Sequence, residues 1–145
     1  MGDLRGARRG AARDRHRVSV ARIVSVGWLC IRDGRLLVVR TRGRAAFYLP
    51  GGKPEPGETL SQTLRREVAE ELGMVVDAAS IAEAFVVHAR AHGVPRAALR
   101  MHCFRADASG VPRPAREIAE LTWVGPDDRV RCAPAVRQVL DRLLG

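Results

Sequence analysis

Residues 52–74 read GKPEPGETLSQTLRREVAEELGM, and this stretch decides what the rest of the chain must support. Gly52, Pro54, Pro56 and Gly57 break any regular element at its start. Thr59, with Gln62 three positions on, matches a capping box, and Gly73 is placed to end a helix in a left-handed turn. Leu60, Leu64, Val68 and Leu72 recur every four residues and predict an apolar stripe that docks on a sheet. Beside that stripe, Glu67, Glu70 and Glu71 stand at i, i+3 and i+4, within an arc of about 100°. Like charges four apart weaken a helix by roughly a few tenths of a kcal/mol. A helix that needed only solubility would alternate signs there. A hard divalent cation removes the repulsion, and carboxylate oxygens are what Mg²⁺ or Mn²⁺ prefers.

Working outward, residues 18–31 (VSVARIVSVGWLCI) form a β-branched run, apolar on both alternating faces, which predicts a strand buried on both sides. Asp33-Gly34 is a two-residue hairpin signal, and LLVVRT at 36–41 returns as the second strand. Downstream, residues 81–92 and 97–107 predict a second hairpin around Gly93-Val94-Pro95. Residues 108–116 read as a Pro/Gly-rich loop, 121–124 as a short strand, and Ala133-Pro134 as the start of a last helix. Val136, Val139, Leu140 and Leu143 supply the apolar face of that helix. The order strands, helix, strands, helix predicts an α/β protein with a mixed sheet covered on both faces.

A chain of 145 residues with 46% apolar side chains suits one globular domain, taken as residues 18–145. No apolar run reaches the roughly 18 residues needed to span a bilayer, so no membrane partner is expected. Cys30, Cys103 and Cys132 are odd in number and widely spaced. That excludes a disulfide framework, predicts small core residues and favours a cytoplasmic location. The net charge is +9, and Lys53 is the only lysine among 25 basic residues. Residues 1–17 hold six arginines against two aspartates and are expected to be a disordered basic tail. The tail lacks aromatic residues for base stacking, so a nucleic-acid partner is not expected. A basic body suits a polyphosphate substrate instead.

Residues 52–74 resemble the signature of the Nudix hydrolase family, G-x5-E-x7-R-E-U-x-E-E-x-G-U, where U is a bulky aliphatic residue. Gly52, Glu58, Arg66-Glu67, Val68, Glu70-Glu71, Gly73 and Met74 meet every fixed position. Phe47 stands three residues before Pro50-Gly51-Gly52, where the family often carries an aromatic residue. The resemblance, which is MutT-like, implies an α/β/α sandwich. It also implies Mg²⁺-dependent cleavage (Mn²⁺ substituting) of a nucleoside diphosphate linked to another moiety. By position, Glu70, Glu71 and the Gly52 carbonyl would be metal ligands, and Glu67 a ligand or the general base. Glu58, Arg66 and Gly73 would be architectural.

The family commonly adds a glutamate from a loop before the last strand. Glu117 is the first candidate for it and Glu120 the second. Lys53 is a candidate phosphate contact, and Arg40, Arg42 and Arg44 are expected to flank the mouth of the site. His88 and His92 are read as polar-face residues rather than ligands. Two other readings compete: removal of a 5′ diphosphate from RNA, with the basic tail as substrate arm, and a non-catalytic nucleotide-binding regulator. The regulator fits less well because such proteins usually lose motif glutamates and this chain keeps all four. Beyond the substrate, a homodimer is the one further partner left open.

Overall fold

The computed structural model describes residues 21–145; the predicted strand start at Val18 and the basic tail lie outside the described residues. The doubly buried strand is β3, Arg35–Thr41, rather than the run before it. Leu36 and Val38 enter one apolar cluster and Leu37 and Val39 the other, all four at 3% exposure or less. The first strand, β1 (Ala21–Trp28), is buried only from Val26 onward, and Val24 is exposed. The expectation of two-sided burial therefore fails for its first half. To the cluster under the long helix, β1 contributes only Val26 and Trp28.

The first hairpin is also shorter than predicted. The chain breaks its strand at Leu29 and Cys30, and only β2 (Ile31–Arg32) pairs with β3. Asp33 and Gly34 both adopt positive φ, 52° and 73°, as a type I′ turn requires. Breaking there sends the two long strands to different sheets. β1 lies between β4 (Gly51–Gly52, antiparallel) and β7 (Ala97–Arg105, parallel), with β6 (Ala82–Arg90) beyond β7. β3 pairs antiparallel with β9 (Ile118–Val124), giving a second sheet in the order β2-β3-β9. Strand β9 starts at Ile118, before the predicted Leu121. Part of the predicted 108–116 loop, Ala108–Ser109 (β8), pairs with β5 (Val75–Val76).

The helix α1 spans Leu60–Leu72, with both capping-box bonds between Thr59 and Gln62 and a left-handed Gly73 at its end. Leu64, Val68 and Leu72 are fully buried against β1, β3 and Phe104. Helix α2, Pro134–Leu144, buries Val136, Val139 and Leu140 in the opposite cluster with Phe47, Val87, Met101 and Cys103. The result is the expected mixed α/β/α sandwich, with α1 on one side of the strands and α2 on the other. All three cysteines are free and buried.

Candidate active site

The motif glutamates divide according to what each can reach. At the start of the stretch, Glu58 accepts from Arg66 Nε at 2.8 Å, Arg66 Nη2 at 2.9 Å and Thr63 Oγ1 at 2.7 Å. It also accepts from the Glu55 amide at 3.1 Å. The Arg66 guanidinium, then Thr63 and the Glu55 amide, hold the Glu58 carboxyl down to about 2. Arg66 continues to the Lys53 carbonyl at 3.2 Å and to Glu67 Oε1 at 2.8 Å. One guanidinium thus ties loop to helix, and its own pKa is driven further up by Glu58.

One turn on, donors are scarce. Glu71 is 6% exposed, and its side chain accepts one hydrogen bond, from the Gly51 amide at 3.0 Å. Burial, reinforced by Glu67, Glu117 and Glu70, pushes its carboxyl up to about 8 against the pull of that amide. Glu67 is also raised, first by burial and then by Glu70 and Glu117, with Arg66 opposing. Carboxylate oxygens of Glu67, Glu71 and Glu117 all lie within 4.8 Å of one another. Three converging carboxylates, one buried with its proton affinity raised, are a donor set that fits a hard divalent cation.

Two glycines make this approach geometrically feasible. Strand β4 packs so tightly on β1 that a Cβ on Gly51, whose φ is 151°, would sit 2.0 Å from the Val26 carbonyl oxygen. A Cβ on Gly52 would meet the Glu67 carboxyl carbon at 2.6 Å. The backbone of residues 51–52 therefore lies directly against the acidic cluster.

Glu117 arrives from a loop bolted to the end of α1. The amides of Arg113 and Ala115 donate to the Leu72 and Glu71 carbonyls at 3.0 and 2.9 Å, satisfying acceptors that a helix end leaves open. The Arg42 amide donates to the Glu117 carbonyl at 2.8 Å. Arg116, just before it, sits at φ 53° and lies 3.5 Å from Glu70. Glu70 stands outside the three-carboxylate cluster and is shared between Arg116 and Arg66, the latter at 3.4 Å. Nothing in the sequence pattern singles out Arg116, because its pairing depends on where the loop lands.

The other candidates separate in the same way. Glu120 is taken up by Arg40 at 2.7 Å, across β3 and β9. Arg40 also donates to the Arg44 carbonyl at 3.1 Å, so its guanidinium is engaged away from the cluster. Arg42 is exposed, and its guanidinium makes no hydrogen bond or ion pair among the described residues. Lys53 and Arg44 line a cavity of about 340 Å³ that begins at Gly51, Gly52 and Glu71 and runs between the sheets to the start of α2. Tyr48 and His92 also line it, their rings edge to face at 6.1 Å. His92 is exposed in the β6–β7 turn rather than on a strand face, and it reaches this wall because that turn folds back over the mouth. His88, by contrast, is exposed on β6.

No helix among the described residues is long and apolar enough to cross a membrane. A NUDIX-domain family profile matches residues 21–143. A MutT-like protein of Streptomyces ambofaciens is 34% identical over 106 residues, 72% of this chain and 65% of that protein. The human 8-oxo-dGDP phosphatase NUDT18 is 40% identical over 62 residues, 41% of this chain but 19% of that protein. The chain therefore spans less than two thirds of the length of these relatives. Among solved structures, the E. coli ORF135 protein matches at TM-score 0.66 and 27% identity, covering 85% of this chain and 89% of its own. A MutT Nudix hydrolase from Burkholderia pseudomallei shares the fold at TM-score 0.70, covering 86% and 98% of the two chains. With the signature intact, the sandwich formed and a family profile matching nearly every described residue, this chain belongs to the NUDIX-domain family of Nudix hydrolases.

Proposed function

We propose that the chain is a Mg²⁺-dependent pyrophosphohydrolase, with Mn²⁺ a workable substitute, acting on a nucleoside diphosphate linked to a further moiety. The reading is carried by the convergence of Glu67, Glu71 and Glu117 at the end of a nucleoside-sized cavity that Lys53 also lines. Glu67 and Glu71, with Glu117, would hold the metal; Glu70 and the Gly52 carbonyl complete the set that the family signature assigns. Bound there, the ion would offset the charge that builds on the diphosphate oxygens and make a water more acidic.

The chain's own groups account for the rest. Lys53, exposed at the cavity's acidic end, meets a phosphate oxygen by charge-assisted hydrogen bonding. Glu67 or Glu117 accepts the proton of the attacking water as its oxygen bonds to phosphorus and the bridging P–O bond breaks. Burial and neighbouring carboxylates raise the proton affinity of Glu67, the direction a general base near neutral pH requires. Glu58 and Arg66 keep the loop and helix in register while this happens. Three buried free thiols suit a cytoplasmic setting.

A panel of nucleoside diphosphate derivatives, assayed for phosphate or pyrophosphate release with Mg²⁺, Mn²⁺ and chelator, tests the reading. Metal-dependent turnover of at least one mononucleotide is expected, and silence across the panel would sink it. Removing residues 1–17 should leave turnover of free nucleotides unchanged. A loss confined to 5′-diphosphorylated RNA would instead favour the RNA-directed reading.

A further inference from the structure

Resting on that reading, we propose that Arg44, with Tyr48 and His92, selects the nucleobase, and that the base it selects presents two adjacent hydrogen-bond acceptors. The cavity has two chemically distinct ends. Glu71, Gly51, Gly52 and Lys53 form the diphosphate end. The floor is apolar, with Ile23, Leu99 and Met101, and the mouth carries Arg44, Tyr48 and His92. A volume of about 340 Å³ lies at the small end of the range for ligand pockets, about 300–1,000 Å³, and suits one nucleoside.

Arg44 is placed for this role by its surroundings. Its amide donates to the Thr41 carbonyl at 3.0 Å, and its own carbonyl accepts from Arg40, which is anchored in turn by Glu120. The backbone at residue 44 is thereby fixed, while the guanidinium reaches across the mouth to the β6–β7 turn. There Arg44 Nη1 lies 2.6 Å from the point a Cβ on Gly93 would occupy. Among the described residues, no carboxylate or carbonyl pairs with that guanidinium. The ring wall of Tyr48 and His92, at 76° to one another, offers an aromatic surface beside it.

The lining favours donors: a second arginine, Arg90, joins Arg44, while the side-chain acceptors besides Glu71 are the hydroxyls of Ser25, Thr41 and Tyr48 and the His92 ring. No aspartate, asparagine or glutamine lines the cavity, and its one carboxylate, Glu71, is at the diphosphate end. A rigid fork of N–H donors without a side-chain amide beside it matches two neighbouring acceptors. Guanine offers these at O6 and N7, whereas adenine pairs an N7 acceptor with an N6 donor. Cytosine offers N3 and O2. Oxidation at C8 of guanine puts a proton on N7 and spoils the pair, so an 8-oxopurine is a poorer match than its parent.

The test compares dGTP, dCTP, dATP and 8-oxo-dGTP in the full-length protein with Mg²⁺. Equilibrium binding of the same four is measured by calorimetry in the Glu67→Gln variant. Wild type should favour dGTP or dCTP over dATP and 8-oxo-dGTP by about tenfold or more in kcat/KM, the discrimination of one good bidentate pair. Arg44→Gln should raise KM for the preferred nucleotide about tenfold, mainly sparing kcat. It should also shift the ratio toward adenine, the base a carboxamide reads. Equal or adenine- or 8-oxo-favouring rates in wild type would overturn the proposal, as would unchanged ratios in Arg44→Gln. Even-handed turnover of all four leaves the hydrolase reading standing and removes this one. Base-selective binding without any turnover does the reverse.

Discussion

Glu58 and Glu71 are the same residue type, thirteen positions apart in one motif, and the fold drives their acidities in opposite directions. Glu58 gathers hydrogen bonds from Arg66, Thr63 and the Glu55 amide and is held at about 2. Glu71 is sealed against the core with one amide donor and the like charges of Glu67, Glu117 and Glu70 nearby, and is pushed up to about 8. The motif is thus two devices on one helix: a satisfied ion pair that fixes the loop, and an under-satisfied cluster that a cation would complete. A buried carboxylate without a counter-charge is costly to leave ionised, and a bound cation would relieve that cost.

The sharpest way to break this division is Glu67→Gln. Turnover should fall by about 10²- to 10⁴-fold, the range for losing a general base, while the melting temperature stays near that of wild type. Near-normal activity would remove Glu67 from the site.

Glu71→Gln tests the other half of the contrast. A protein binding Mg²⁺ at a hundredfold excess over Kd gains about 3 kcal/mol, and the variant should lose most of that metal-dependent gain. The pH dependence follows from the same group. Its folded-state pKa of about 8 lies above the ordinary 4.5, so the folded chain holds a proton that the unfolded chain releases. Metal-free wild type should therefore lose stability as pH rises from about 5 to 8, and Glu71→Gln should flatten that slope. Glu58 works with the opposite sign: its contribution is present above pH 4.5 and is lost as pH falls toward 2. Melting curves with chelator across pH 5–8 decide the matter; a slope that rises in wild type would contradict the placement of Glu71.

Arg66→Ala strips donors from Glu58 and Glu67 together and frees the Lys53 carbonyl. A fall in Tm of roughly 5–10 °C is expected, with activity falling alongside it. A Tm within a degree of wild type would show that the loop is held by something else.

The smallest effects separate the two loop acids. Glu117→Gln should shift the pH–rate profile or weaken metal affinity. Glu120→Gln, which loosens only the Arg40 pair, should touch KM modestly and neither of those quantities. Identical behaviour of the two variants would return Glu117 to the status of an ordinary loop acid.

Much of this was legible in the chain before folding. The capping box, the Gly73 stop, the apolar stripe of α1, the Asp33-Gly34 turn and the Pro134 helix start all follow from contacts within about four residues. The short first hairpin and half-exposed β1 were not legible, because a doubly apolar run has no marker for the residue at which it changes sheets. The same holds for the mouth, where Tyr48, His92 and Arg44 meet only because the β6–β7 turn folds toward the 42–47 loop.

By itself, then, the sequence determined the helix, its caps and the spacing of its carboxylates. Backbone geometry converts separations of three and four residues directly into shared faces. Only the tertiary structure decided which carboxylates would be paired and which left needing a cation. That depends on burial, on Gly51 closing against β1, and on a loop forty-six residues further along the chain delivering Glu117 beside Glu71. Charge at a site is set by what surrounds it, and surroundings assembled from distant strands leave no local pattern to read.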